Sequence, residues 1–413
     1  MSGDGIRAYA GEFTMVPWGL ELSMNWCSHA CPYCFANNMK YERRADFRSV
    51  VGLISNYKNR NTREALLLQA GVPMLVSNHV DPFAGSNAQQ FEPIWELCIE
   101  SGIELSWQTR GAHKPQLKIQ ERIIRETPRS FWYVSIPMWD DSIRARIEPS
   151  APTIGSRLDL IDQLVEAGHV VVVGINPLHI EWLPDYEPLV NSLKEKNVWG
   201  VWVEPLYFGK TFKNLIPSRH RKILGEDLIR NSGEVGSAID ARHTMDCLNY
   251  AKSIGLEIFS TGFDEPTKFF EPAQEIYRAP MPYWHQIINA IDPDLEELEY
   301  IVITKDDMIS LLNPLPELDW AEPLRHKRAK HYRAITNPSG KLPKQNVDGF
   351  FDIIWNDEIF CKSLGLLRYP RFAYASIQEG KTIHPLLDEK GNRLIIYGKQ
   401  EYKTLYVDTP EIA

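Results

Sequence analysis

Short apolar runs alternate with amphipathic stretches along the first two thirds of the chain. The runs are rich in β-branched and aromatic residues and are bounded by Gly, Pro, Asn or Asp, a pattern typical of buried parallel strands. Between them the apolar positions follow helical spacing, and several of these stretches end at a glycine that suits a helix C-terminus. Strands are predicted at residues 18–24, 72–78, 103–109, 131–137, 169–175, 200–206 and 256–262, and helices at residues 47–59, 91–102, 156–168 and 241–255.

This alternation predicts an α/β fold, a full or partial (β/α) barrel with parallel strands. In such folds the chemistry lies at the carboxyl ends of the strands. After about residue 265 the alternation gives way to Pro-rich pieces, a basic run and an aromatic, hairpin-like tail at 393–407. We therefore expect a barrel core over residues 1–270 and a smaller C-terminal α+β region over 271–413, which is either a second domain or a cap.

Composition narrows the class of protein. Apolar residues make up 44% and charged residues 24%, which excludes a disordered or fibrous chain. No apolar run approaches the about 20 residues that cross a bilayer, and the first residues lack the basic start and apolar middle of a signal peptide. We expect a cytoplasmic protein with no membrane partner. The formal net charge of -9 does not by itself indicate binding to nucleic acid.

Three of the six cysteines, Cys27, Cys31 and Cys34, fall within eight positions directly after the first predicted strand. In a reducing compartment such a group indicates a metal or redox site before a disulfide framework. A structural zinc site takes four protein ligands. His29 inside the loop is expected to be an ordinary polar residue, so it does not supply the fourth ligand. A [4Fe-4S] cluster normally takes four thiolates, so three would leave one iron open. An incomplete zinc or iron site in a non-enzymatic interaction protein is the alternative.

The pattern C-x-x-x-C-x-x-C, with the aromatic Tyr33 before the last cysteine, resembles the radical S-adenosylmethionine (SAM) superfamily. The resemblance implies that SAM chelates the open iron. It also implies that an electron from the cluster cleaves SAM to methionine and a 5′-deoxyadenosyl radical, which removes a hydrogen atom from substrate. An external electron donor of the flavodoxin or ferredoxin type is implied as partner, and Tyr33 is expected beside the cofactor.

Further segments resemble the spore photoproduct lyase-like branch of that superfamily, over about residues 17–265. One is 76–83, and the other is 134–178, in which Glu148, Pro149 and Gly168 are among the landmarks. The resemblance assigns six residues to cofactor binding: Tyr33, Asp81, Ser135, Arg157, Asn176 and Glu204.

Each of these assignments has its own reason. Ser135 and Arg157 would hold the carboxylate or ribose of SAM, because the arginine fork suits such groups. Asp81 stands where the superfamily often has a Gly-Gly-Glu segment that contacts the amino group, although VDPF replaces those glycines here. Asn176 and Glu204 end their strands toward the expected site.

The substrate is indicated less directly. The run RHKRAKHYR at 325–333, with RYPRF at 368–372, suits phosphates and stacked bases, although a solvated helix face is the alternative. These residues and the branch favour a nucleic-acid base or nucleotide, with modification or repair as the reaction. A small metabolite or a peptide is the alternative substrate. No catalytic residue is identified, since Cys98, Cys247 and Cys361 do not align with the hydrogen-donor cysteine of the lyase. The possible substrate-binding residues are Lys327, Arg328, Lys330 and Tyr332.

Overall fold

An eight-stranded sheet organises the first two thirds of the chain in the computed structural model. The structure describes residues 6–10, 18–22, 24, 27–34, 47–60, 63–69, 71, 73–76, 80–208, 210–231, 238–259, 276, 300–312, 355–356, 372–379, 382–398 and 405–406. The strands of this sheet are β1 Ile6–Ala10, β2 Trp18–Leu22, β3 Met74–Val76, β4 Leu105–Thr109, β5 Phe131–Ser135, β6 Val170–Leu178, β7 Gly200–Pro205 and β8 Glu257–Phe259.

The strands lie in sequence order, which confirms the α/β prediction. β2 to β8 coincide with the seven predicted strands and are parallel throughout. β1 is an addition that the sequence did not predict, and it pairs antiparallel with β2. Among the described strands β8 does not pair with β1, so the sheet is a partial barrel.

Helices connect the strands, as right-handed β–α–β units require. They are α1 Phe47–Ile54, α2 Arg63–Gln69, α3 Ala88–Ser101, α4 Leu117–Glu126, α5 Asp141–Ile147, α6 Ile154–Glu166, α7 Glu187–Glu195, α8 Lys210–Leu215, α9 Ser218–Leu224, α10 Glu226–Asn231, α11 Ala238–Ser253 and, after the barrel, α12 Lys305–Leu312. In the described part of the chain none of them has the length and apolar character needed to span a membrane.

The two faces of the barrel sheet differ in chemistry because side chains alternate along each strand. The helix-covered face is a dry core, in which Trp107 and Trp132 stack with their ring centroids 4.4 Å apart and Phe91 of α3 meets Trp107 edge-on. The opposite face, called the inner face below, is polar and partly open. The strand register places on it Glu21, Leu75, Ser106, Gln108, Phe131, Tyr133, Ser135, Val170, Val172, Gly174, Asn176, Gly200, Trp202, Glu204, Glu257 and Phe259.

A second, largely antiparallel sheet occupies the C-terminal region. Its strands are β9 Tyr300–Ile303, β10 Phe372–Glu379, β11 Thr382–Pro385, β12 Ile395–Gly398 and β13 Leu405–Tyr406. The predicted hairpin in the tail is wrong, because β12 and β13 both pair with β10. The other edge of β12 pairs with β9, about 90 residues earlier in the chain, so long-range partners take the place of the local turn. The division at residue 270 stays a prediction.

Candidate functional site

The cysteine loop, residues 27–34, follows β2 in the sequence and contains turns at 28–29 and 32–33. The backbone N–H of Cys34 donates to the carbonyl of Cys31 at 3.1 Å, which closes the last turn. Ala30 lies in the left-handed region with φ of 52°, a conformation that a non-glycine residue adopts only at a cost. Cys27 and Cys31 are buried and Cys34 is half-buried. The loop therefore brings three thiols to the edge where a barrel of this kind has its chemistry.

The three thiols affect one another electrostatically. Burial, with the negative charge of Asp81, raises the pKa of Cys27 to about 12, although the backbone N–H groups of Asp81 and His29 donate to its sulfur. Burial raises the pKa of Cys31 as well, and Cys34 adds to the effect on both. Burial disfavours the charged form of Cys27 and Cys31, so these two thiols fit a group that would deprotonate them on binding and supply positive charge.

The donor set fits a cluster better than a single ion. Three sulfur ligands from one loop are the ligands that iron–sulfur clusters take. Within the described residues, no three His, Cys, Asp or Glu side chains converge closely enough to hold one metal ion. Cys27, Cys31 and Cys34 would hold the cluster.

Asp81 anchors the start of the cysteine loop. Its Oδ1 accepts from the Phe83 backbone at 2.9 Å and from Thr109 Oγ1 at 2.8 Å, and its Oδ2 accepts from the Arg110 backbone at 2.5 Å. His29 Nε2 lies 3.2 Å from Oδ2. Burial alone would raise the pKa of Asp81, but His29 and these donors lower it. The Asp81 carboxylate is thus already surrounded by donors from the protein.

His29, which the sequence indicated to be an ordinary polar loop residue, is a buried part of the site. Its side chain is 1% exposed, and Nδ1 lies 2.8 Å from the carbonyl oxygen of Ser150. With its other nitrogen beside Asp81, the imidazole joins the cysteine loop to two distant segments. A second histidine, His113, also reaches the Ser150 carbonyl, at 2.7 Å.

Glu148 is the hub of a second buried network. Its carboxylate accepts from the Tyr33 hydroxyl and from Arg157 Nη2, and Arg110 Nε donates to it at 2.9 Å. Burial alone would raise the pKa of Glu148, but Arg157 and Arg110, with the Tyr33 hydrogen bond, lower it to about 2. Glu148 is therefore a charged group inside the protein.

Arg157 is fully buried, and each guanidinium nitrogen has a partner within the protein. Nε donates to the carbonyl of Pro152 at 3.1 Å, and Nη1 donates to that of Ser135 at 3.0 Å. Nη2 bonds to Glu148. The side chain thus links the carboxyl end of β5 to the segment that follows α5.

The remaining predicted residues lie on the inner face. Ser135 Oγ donates to the carbonyl of Asn176 at 3.5 Å. The Tyr133 ring crosses the neighbouring strand at Gly174, where a Cβ would lie 1.9 Å from its hydroxyl oxygen. Burial raises the pKa of Tyr133, against a hydrogen bond with the Asn176 side chain, and Glu204 raises it further. Asn176 and Glu204 therefore share one neighbourhood around Tyr133.

The structure thus gathers most of the predicted residues but leaves one group untested. The cysteines, Tyr33, Asp81, Ser135 and Arg157 belong to one connected set of contacts, and Asn176 and Glu204 adjoin it. The possible substrate-binding residues lie outside the described residues: Lys327, Arg328, Lys330 and Tyr332.

Sequence reasoning did not assign three groups that the structure places in the site: Arg110, Tyr133 and Glu148. Arg110 directly follows the predicted strand at 103–109, so its position at a strand end was a signal. Tyr133 lies in a run of aromatic and β-branched residues that indicates a strand, so nothing in the sequence indicated a functional role. Glu148 stood out only as a landmark of a resemblance, without a role.

Three comparisons with known proteins show what the chain is similar to. The model of the Radical SAM superfamily matches residues 22–190. A search of curated protein sequences found no match. Among solved structures, a spore photoproduct lyase variant with bound AdoMet and dinucleoside spore photoproduct aligns with a TM-score of 0.44 and 14% identity, over 62% of this chain and 78% of the other.

A second solved structure is that of SuiB from Streptococcus suis bound to S-adenosylmethionine. It aligns with a TM-score of 0.37 and 14% identity, over 57% of this chain and 48% of that one. The chain thus spans about half the length of SuiB. Members of the matched superfamily use a [4Fe-4S] cluster and SAM, and the cysteine loop lies inside the matched range. Residues 22–190 of the chain, which include the cysteine loop, therefore match the Radical SAM superfamily.

Proposed function

We propose that this protein is a radical SAM enzyme, with Cys27, Cys31 and Cys34 as the ligands of a [4Fe-4S] cluster. When bound, the cluster would supply the electron that cleaves SAM reductively to a 5′-deoxyadenosyl radical, which abstracts a hydrogen atom from substrate. The observation that carries the proposal is the placement of three thiols, within electrostatic range of one another, on one loop at the carboxyl edge of a parallel partial barrel. The chain's own part is to hold this loop and to keep water from the radical.

The test is anaerobic reconstitution with iron and sulfide, followed by dithionite and SAM. We expect a brown protein that releases 5′-deoxyadenosine, and loss of both properties in Cys31→Ala. Cys247→Ala is the matched control, because Cys247 is an equally buried cysteine on α11 and should keep both. Stoichiometric zinc without iron would contradict the proposal and favour a non-enzymatic metal-binding protein.

For the substrate we propose a flat, hydrogen-bonding group such as a nucleic-acid base or nucleotide, with modification or repair as the reaction. The inner face supports this with two half-buried rings, Tyr133 and Trp202, and with the amides of Gln108 and Asn176. Aromatic rings stack on bases, and amides pair with base edges. In this proposal the basic run at 325–333 would contact phosphates.

Binding to DNA and RNA at two salt concentrations tests this substrate. Charge reversal at Lys327, Arg328 and Lys330 should weaken binding and lower its salt dependence. Charge reversal at the exposed Lys58 and Lys118, of the same sign, should change binding less. Equal affinity in all variants would contradict a role for the basic run.

A small metabolite or a peptide is the second candidate, and the charge of the inner face favours it. Of the described side chains on the inner face of β2 to β8, three are carboxylates and none is Lys or Arg. Glu21, Glu204 and Glu257 would repel phosphates and suit a neutral or cationic group. Incubation with pools of cell metabolites and nucleic acids, tracing deuterium into the released 5′-deoxyadenosine, decides between the candidates.

We also propose an external electron donor of the flavodoxin or ferredoxin type and a cytoplasmic location for the protein.

A further inference from the structure

Tyr33 is fixed at both ends although it lies in the middle of the cysteine loop. Its ring is buried and packs on Trp182 with centroids 5.3 Å apart. Its hydroxyl donates to Glu148 and accepts from Arg110 Nη2 at 2.9 Å. Because Tyr33 immediately precedes Cys34 and follows Cys31 by two residues, whatever holds this ring also holds the turn that carries those two thiols.

Glu148 is the group that holds the hydroxyl end of Tyr33. Its side chain is 0% exposed, and three donors from three different elements meet on it. Arg157 in turn fixes the segment around Glu148 to the barrel through the carbonyls of Ser135 and Pro152. The loop is thus tied to the barrel wall through one carboxylate.

The same carboxylate affects the charge beside the thiols. Cys31 experiences the negative charge of Glu148 and the positive charge of Arg110. Two guanidinium groups on one carboxylate leave a net positive charge. Of the four described side chains in this network Arg110 is the most exposed, with 21% of its side chain accessible. Removal of the carboxylate charge would make this surrounding more positive.

We propose that Glu148 is the positioning residue of the cysteine loop: it orients the Cys31–Cys34 turn through Tyr33, and its charge lowers the reduction potential of a cluster bound there. The first part concerns the chain alone. The second part rests on the proposed function, because it needs the cluster. A charge near an iron–sulfur cluster changes its potential, and a negative charge disfavours the more negative reduced state.

The first test uses the metal-free full chain and measures alkylation of each cysteine by mass spectrometry. We expect Cys31 and Cys34 to react at least about tenfold faster in Glu148→Gln, a change of about 1.4 kcal/mol in the opening equilibrium. Tyr33→Phe should give a smaller increase at the same cysteines. The buried Cys98 and Cys247 are internal references and should keep their slow rates.

The outcomes of this test are distinct. If the reference cysteines also react faster in Glu148→Gln, that variant has unfolded globally and does not test the loop. The alkylation rates of Tyr33→Phe then test the positioning role, since this substitution removes only a hydroxyl. Unchanged rates at Cys31 and Cys34 in Tyr33→Phe would then overturn the positioning role. Glu226→Gln is the matched control, because Glu226 pairs with Arg221 at the surface, 2.7 Å from its Nε, and should leave every rate unchanged.

The second test uses the reconstituted protein and follows the reduced cluster by electron paramagnetic resonance during a redox titration. We expect Glu148→Gln to raise the midpoint potential, so that the ratio of reduced to oxidised cluster at a fixed potential rises about tenfold, or about 59 mV for one electron. Tyr33→Phe and Glu226→Gln keep the Glu148 charge and should keep the potential.

An unchanged potential in Glu148→Gln would overturn the electrostatic part of the proposal. A chain that binds no iron would overturn the proposed function together with that part. The alkylation rates would still decide the positioning role, so the two failures can be told apart.

Discussion

Arg157→Met tests the structural role that the contacts of this arginine indicate. Methionine replaces the arginine stem with an unbranched apolar side chain and removes the guanidinium. Three hydrogen bonds disappear, to Glu148 and to the carbonyls of Ser135 and Pro152. Loss of one partner from a buried ion pair costs about 3–5 kcal/mol. Because Glu148 keeps Arg110 and Tyr33, we expect a loss near the lower end, about 3 kcal/mol.

The assay is urea unfolding of the metal-free protein, followed by fluorescence of the buried tryptophans. Arg221→Met is the control, since Arg221 pairs with Glu226 at the surface, and exposed pairs contribute little. In the double variant Arg157→Met/Glu148→Leu we expect part of the loss to be recovered, because the fully buried carboxylate is removed together with its fully buried partner. Recovery stays incomplete because Arg110 also loses Glu148, although its side chain is 21% exposed and can reach water. If Arg157→Met lowers the free energy of unfolding no more than Arg221→Met, the structural role assigned to Arg157 is wrong.

Three further predictions test the loop, the inner face and the sheet. Ala30→Val should bind less iron on reconstitution than Ala30→Gly, because a β-branched residue disfavours the φ of 52° that the loop requires; equal iron per chain would contradict this. Gly174→Ala should displace the Tyr133 ring, because the new Cβ would overlap its hydroxyl oxygen. Release of 5′-deoxyadenosine should fall at unchanged iron content, and unchanged release would refute a role for that ring. Gly200→Ala should lower Tm by about 5 °C or more, since its Cβ would lie 2.5 Å from the Glu257 carbonyl oxygen, whereas Gly155→Ala, with no atom within 4 Å of the new Cβ, should not.

The strands of the barrel were predictable because their signal is local. Val171, Val173 and Val201 belong to runs whose β-branched character and flanking glycines define a buried strand without knowledge of its neighbours. β1 was missed because a five-residue strand at the edge, IRAYA, has no such run. The hairpin predicted in the tail was wrong because β12 pairs with β9 and β10. Pairing between strands far apart in the sequence cannot be predicted from the local pattern of residues.

In the candidate site, too, local features could be predicted from the sequence and contacts between distant residues could not. The cysteine spacing is local, so the proposed cluster ligands could be selected from eight positions. The groups that hold the loop could not, because Tyr33 and Glu148 lie 115 residues apart and His29 and Ser150 lie 121 apart. Arg157 and Asp81 were selected as charged residues at suitable places, but only the fold reveals that their polar atoms already have partners within the protein.

The most direct test of the account is the electron paramagnetic resonance spectrum of the reduced, reconstituted protein before and after addition of SAM. We predict the signal of a [4Fe-4S] cluster that changes on addition of SAM, because three cysteines leave one iron free to bind it. A cluster whose signal is the same with and without SAM would contradict the claim that Cys27, Cys31 and Cys34 leave an iron open.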